Sequence, residues 1–382
     1  MSIERGAAQQ DSEQAFLDRS RGDEMVHGSK AAGDRPATGQ EQTVDVLQDV
    51  RGGREKLAAA AELGPTAIDA LTGAVWVLHY DEVDRLAHEP RMAGVGLTWF
   101  DLMGIEGELR RWYGSLMFTN EGETHTRLRQ LVSRAFTPRS AERLRAHAAT
   151  LVDEGFTELE GAGGGDLTAV FGRLAIRVMC RLLGVPEEEV STFGGWADAL
   201  SPVFAFMDPD QIAAAGSALD ELVDYVGRLV DGRRGDAGDD LISALVRAED
   251  EEDHLTRDEV VTMVTNLLVA GHDTTSSQIG CSLLCLLCHP EEVARLRSGA
   301  CPVPGAVVET MRYEPSIPLI PRTVSDPLEI GGIVRPAGTS VLLSVMSANR
   351  DPAVWERPDT FDVDRFNQPS APRMLSFGTG PH

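Results

Sequence analysis

Lysine is nearly missing from this chain of 382 residues: Lys30 and Lys56 are the only two, and arginine carries the remaining positive charge. The balance is 35 basic against 60 acidic side chains, a net charge of −25. That excess of acid argues against nucleic acid or an anionic membrane surface as the main partner. Also missing is any uninterrupted apolar run of membrane-spanning length. The first forty or so residues lack the apolar centre of a secretory signal and read as a polar, disordered leader, 1–43. Five cysteines, Cys180, Cys281, Cys285, Cys288 and Cys301, are an odd number without a secretory context, which suggests reduced thiols in a cytoplasmic protein.

What is present is ordinary for a globular chain, with 42% hydrophobic and 25% charged residues. The length suits one large domain or two modest ones. Gly73 to Val83 reads as a strand followed by a turn. From about Pro138 to Leu287 the apolar spacing is helical, with breaks expected at 161–165, 184–186 and 231–235. The glycine cluster at 161–165 lacks the Lys-Ser/Thr of a phosphate loop and reads as a turn. After Pro290 short strand-like runs, Leu328 to Ile330 and Ser340 to Leu343, alternate with Pro/Gly turns. The expected fold class is therefore mainly α with small β-sheets, α+β.

Thr256-Arg-Asp-Glu259 is a capping box that opens an apolar helix, roughly Asp258 to Cys288, ended by His289-Pro290. Such a helix is expected to be buried along much of its length. Its middle nevertheless reads Ala270-Gly-His-Asp-Thr-Thr-Ser-Ser277. Burying Asp273 beside threonines is costly unless they are hydrogen-bonded, and Gly271 weakens the helix by about 1 kcal/mol relative to alanine. Small residues would let a ligand approach the backbone, and a threonine hydroxyl can bond back to a carbonyl. Cys281, Cys285 and Cys288 share one face without the spacing of a zinc site, so they read as core packing. Glu309-Thr-Met-Arg312 puts a carboxylate and a guanidinium on one helical face.

These segments form an ordered series. Pro321-Arg322 follows Glu309 and Arg312, then Asn349-Arg-Asp-Pro352, Phe361 to Phe366 with Arg365, and finally Phe377-Gly-Thr-Gly-Pro-His382. Upstream stand Glu123-Thr-His-Thr-Arg-Leu-Arg129 and Ala135-Phe-Thr-Pro138. From about Gly73 to His382 the series resembles the cytochrome P-450 family, implying a single domain over 44–382. The resemblance implies a haem-thiolate monooxygenase that activates O2 and hydroxylates a small apolar substrate. It implies haem b as cofactor, with electrons coming from NAD(P)H through a redox partner. By the same resemblance Asp273 and Thr274 would relay protons, and Ala270 and Gly271 would lie against the cofactor. His125, Arg129, Arg322 and His382 would meet the haem propionates, and Phe377 and Gly378 would begin the haem loop. Glu309, Arg312 and Arg365 would hold the fold behind it.

The family pattern continues past His382 to a cysteine that binds the iron, and no cysteine of this sequence stands there. No metal ligand is therefore assigned, and the expectation is a truncated or fragmentary copy of such an enzyme. The alternative is a haem-free auxiliary protein that binds and stabilises a partner such as a glycosyltransferase. A third reading, an unrelated helical hydrolase, is remote, for the sequence shows no nucleophile-elbow or Ser-His-Asp pattern. Arg127 to Arg145 contains six arginines against Glu142, which suggests docking of an acidic, ferredoxin-type donor. Trp99 to Met103 and Phe193 to Met207 are expected to line or cover the substrate pocket.

Overall fold

The structure, a computed structural model, describes residues 41–47, 52–135, 138–205, 207–235, 238, 240–249 and 256–380. Nearly all of the expected leader lies outside these residues, though its last two positions, Gln42 and Thr43, belong to a strand.

The N-terminal part alternates strands and short helices: β1 (Gln42–Val44), α1 (Gly53–Leu63), β2 (Thr66–Asp69), β3 (Val75–Val77), α2 (Tyr80–Ala87), β4 (Met92–Ala93), α3 (Thr98–Met103) and α4 (Gly107–Ser115). Helices follow without interruption by strands: α5 (Gly122–Ala135), α6 (Pro138–Gly161), α7 (Leu167–Leu183), α8 (Val190–Leu200), α9 (Pro209–Gly235), α10 (Leu241–Glu249), α11 (Arg257–Cys288), α12 (Pro290–Arg297) and α13 (Val303–Tyr313). The C-terminal part carries β5 (Leu319–Val324), β6 (Leu328–Ile330), β7 (Ile333–Arg335), β8 (Ser340–Ser344) and the one-turn α14 (Val345–Ala348). This is the mainly helical α+β arrangement expected.

Local chemistry fixes the helix ends. Asp166 accepts from the amides of Thr168 and Ala169 to start α7, and Gly184, at φ 78°, ends it in the left-handed conformation that spares glycine the Cβ penalty. The capping box is made as read: Thr256 accepts from Glu259 N, and Glu259 reaches back to Thr256 N at 2.8 Å. Two boundaries differ from expectation. Within 73–83 the strand is made over Val75–Val77, but the expected turn is replaced from Tyr80 by α2, whose first turn carries Asp81 and Glu82. Residues 231–235 stay helical because their side chains bond outward: Asp231 pairs with Arg257, and Arg233 bonds Asp240 and the Gly184 carbonyl.

The six-stranded sheet has the order β1-β2-β3-β8-β5-β4, with β6 and β7 as a separate hairpin. Central β3 pairs antiparallel with β2 and parallel with β8, Val75 opposite Val341. It is buried on both faces, so Val75, Trp76 and Val77 are continuously apolar. The larger core lies between the helices, where Phe193, Leu200, Leu219, Leu222, Val260 and Leu268 are fully enclosed. Among the described residues no helix is long and apolar enough to cross a membrane.

Candidate functional site

The helix α11 runs 32 residues without a break, about 48 Å at 1.5 Å per residue. Its first half is buried as expected, from Val260 to Val269, but the polar middle is not. Ala270, Asp273, Thr275 and Ser277 are exposed, so Asp273 avoids the desolvation cost that burial would have imposed. The predicted back-bond is made, Thr274 Oγ1 donating to the Ala270 carbonyl at 2.7 Å, without opening the helix. Thr274 thus holds its hydroxyl proton on the backbone and keeps oxygen lone pairs to accept another, beside the ionisable Asp273.

Gly271 also serves packing. A Cβ there would stand 2.8 Å from Met179 Sδ of α7, so the missing side chain lets two helices approach. Ser276 reinforces that contact by donating to the Gly172 carbonyl at 2.8 Å. The cysteine face behaves as packing: Cys285 is buried, its thiol pushed up to about 12 by burial, and the Cys281 thiol is raised for the same reason. Among the described residues no group of three His, Cys, Asp or Glu side chains could hold a metal.

The cationic residues assigned to the propionates lie on α5 and β5. His125 is buried on α5, with exposed Arg129 one turn further along. Arg322 is buried on β5, and its hydrogen bond runs to the adjacent Pro321 carbonyl at 3.0 Å. Burial lowers its pKa, opposed by the field of Glu121, which directly precedes α5 and accepts from Gly94 N at 2.8 Å. No carboxylate of the described residues is within ion-pair distance of this guanidinium. A cation so buried keeps only the longer-range field of Glu121 against its lost water, and an entering carboxylate in hydrogen-bond contact would repay more of that cost.

Behind this surface the fold is braced by a buried network. Arg312 grips Glu309 with two hydrogen bonds, 2.7 and 2.8 Å, and both side chains are 0% exposed. Arg365 adds a third contact to Glu309 at 3.2 Å, and Glu309 also accepts from the Asp362 amide at 3.0 Å. Arg312 donates onward to the carbonyls of Asn349 and Pro358. All three residues picked from the sequence meet.

The segment 371–380 is fastened to its surroundings by residues the motif search missed. Asn349, read only as part of a turn, accepts from Leu375 N and donates to Ser376 Oγ, both at 2.8 Å. Thr379 Oγ1 donates to Asp84 of α2 at 2.9 Å and lies 3.3 Å from His88 Nε2. Gly380, at φ 88°, sits where any side chain would collide with the Ala87 carbonyl. Gly378 also has positive φ, and Phe377 is 79% exposed. The Asn349-Arg-Asp-Pro352 turn was the one cue in the sequence, and its burial, which gives it this role, comes from the fold. His382 falls outside the described residues.

The expected pocket-lining segments divide. Phe193 and Met207 belong to the core, Phe193 packing on Trp196 and Tyr225. Phe204 and Phe118 remain half-exposed and meet at a centroid distance of 5.9 Å. The arginine-rich stretch spans two helices, α5 and α6. Arg127 pairs with Glu259 and Arg145 with Glu142; the side chains of Arg134, Arg139 and Arg143 fall outside the described residues.

Arg322 buried on β5, His125 and Arg129 on α5 and the small exposed residues of α11 are of the kinds that suit a planar group with two carboxylates and an apolar face. Haem is such a group. An axial thiolate is not part of the set, because the cysteines lie on α7, on α11 and between α12 and α13.

Comparisons with known proteins give the same answer. The cytochrome P-450 family model matches residues 187–299 and 303–382. The chain is 35% identical over 316 residues to 6-deoxyerythronolide B hydroxylase of Saccharopolyspora erythraea, covering 80% of this chain and 76% of the relative. It is 37% identical over 314 residues to the cytochrome P-450 monooxygenase PikC of Streptomyces venezuelae, covering 81% and 72%. Among solved structures, CalO2 superposes with a TM-score of 0.80 at 28% identity, covering 88% of this chain and 83% of that one. With the Glu309–Arg312–Arg365 network, the acid–alcohol pair on α11 and the haem-compatible cations all in the family's order, the chain belongs to the cytochrome P-450 family.

Proposed function

We propose that this chain carries the site of a haem monooxygenase that hydroxylates a small apolar molecule, with electrons delivered by a ferredoxin-type donor. The observation that carries the reading is Arg322, buried on β5 with no ion-pair partner among the described residues and its hydrogen bond spent on the adjacent Pro321 carbonyl. Haem supplies O2 activation when bound. The protein's share is to hold it: Arg322, His125, Arg129 and His382 toward its propionates, and Ala270, Phe377 and Gly378 against its faces. Asp273 takes up protons from solvent, and Thr274 Oγ1, anchored on the Ala270 carbonyl, positions the hydroxyl that passes them inward. Relatives whose names record hydroxylation and monooxygenation support this reading over that of a haem-free auxiliary protein. Phe118 and Phe204 suit a wide apolar substrate of the terpenoid, steroid or polyketide kind. The donor is assigned to the stretch Arg127–Arg145, whose charge in sequence is opposite to that of an acidic partner.

Titration of the purified full chain with hemin, followed by its Soret absorbance, tests the site. Saturable uptake is expected, weakened about tenfold or more by Arg322→Leu, the scale of one charge-assisted hydrogen bond. A wild-type chain that takes up no haem, or an Arg322→Leu variant that binds it equally well, would sink the assignment.

A further inference from the structure

The residue between Gly271 and Asp273 has no part in the site described, yet it makes a defined contact. His272 is 12% exposed, and its Nε2 lies 3.0 Å from Asp198 Oδ1 of α8. Its Nδ1 is buried without a hydrogen-bond partner. A half-satisfied imidazole between two helices is held there by its remaining bond. The other side of α8 is apolar, with Phe193, Ala197 and Leu200 buried, and Trp196 Nε1 donates to Glu221 of α9 at 2.9 Å. Apolar packing therefore joins α8 to the helical core, while the Asp198–His272 bond sets its place against the one turn of α11 that carries Asp273 and Thr274. Asp198 is 76% exposed, so solvent competes for it and the bond is easily released.

We propose that His272 is a positioning residue, a latch through Asp198 that seats α8 on the turn of α11 bearing Asp273 and Thr274. Movement of α8 and placement of that pair are then one event. The meaning of the pair rests on the monooxygenase reading; the latch itself does not.

Hydrogen–deuterium exchange on the full chain tests the latch without haem. Asp198→Ala and His272→Ala should each speed exchange in residues 190–200 about five- to tenfold, and the double variant should add nothing further. His272→Gln, which keeps an N–H donor within reach of Asp198, should restore most of the protection. Unchanged exchange in Asp198→Ala, or additive effects in the double variant, would overturn the proposal. Because Asp198 is exposed, its variant decides the matter even where His272→Ala loosens the core. Failure of the hemin titration leaves this result standing, so the two readings fall separately.

Discussion

At residue scale the strongest constraint is the Glu309–Arg312 pair, which has no exposed surface at all. Two charges removed from water are tolerable because every donor and acceptor is used: Arg312 bonds Glu309 and three carbonyls, and Glu309 also serves Arg365 and the Asp362 amide. Removing one partner leaves the other charged and dry, which costs about 3–5 kcal/mol. Arg312→Leu should therefore lower unfolding stability by about that amount in denaturant titration, a large share of a typical domain's margin. A loss below 1 kcal/mol would mean that water reaches Glu309. The i,i+3 spacing showed that the two side chains share a face, but such a pair in sequence is usually a surface bridge. Its burial depends on the carbonyls of Asn349, Pro358 and Thr360, which lie 37 to 48 residues away and carry no local signature.

At the scale of the element, α11 was legible where its signals are short-range. The capping box, the stop at His289-Pro290 and the Thr274 back-bond all depend on neighbours within four residues. Its exposure was not legible, since apolar composition alone does not say which turns other helices cover. Gly271 illustrates the limit: glycine in a helix announces a close approach, but only the fold shows that Met179 is what approaches. Gly271→Val should wedge α7 from α11 and destabilise the protein by about 1–3 kcal/mol, the usual cost of overpacking. Met179→Ala in the same chain should return part of that loss, measured by thermal denaturation. An additive double variant would show that the two side chains do not compete for the same space. The paired contacts at Thr379 and Asn349 were hidden for a related reason, since each joins segments far apart in the chain.

For the whole molecule, acid is the revealing stress. Several carboxylates are held below their ordinary range in the folded state. Burial pulls Asp362 upward, but the Asp364 amide and Arg295 outweigh it; burial likewise raises Glu259, and Arg127 and Thr256 outweigh that. Glu89 is lowered to about 2, chiefly by its hydrogen bonds with Arg91. A carboxyl depressed by folding stabilises the native state above its unfolded pKa, and that contribution disappears as pH falls through the folded one. Stability should therefore decline as pH falls below the ordinary carboxylate range near 4.5, with the Glu89 share lost on passing about 2. Urea midpoints across that interval check the sign, and a midpoint that rises on acidification would contradict it. The fold class was readable at this scale because it follows hydrophobic period and turn residues, whereas the order of motifs was readable through the family resemblance. The sheet order was not, since β3 pairs with a strand from the opposite end of the chain.

That pairing also sets a timetable. Val75 and its partner Val341 are separated by roughly 265 residues, and a ribosome adding about 5–20 residues per second needs roughly 15–50 s to bridge them. Throughout that interval the apolar segment Val75-Trp-Val77 has β2 on one edge and nothing on the other, an open template for pairing with another nascent chain. The strand order of the finished sheet thus leaves that edge of β3 without its final partner until β8 has been made.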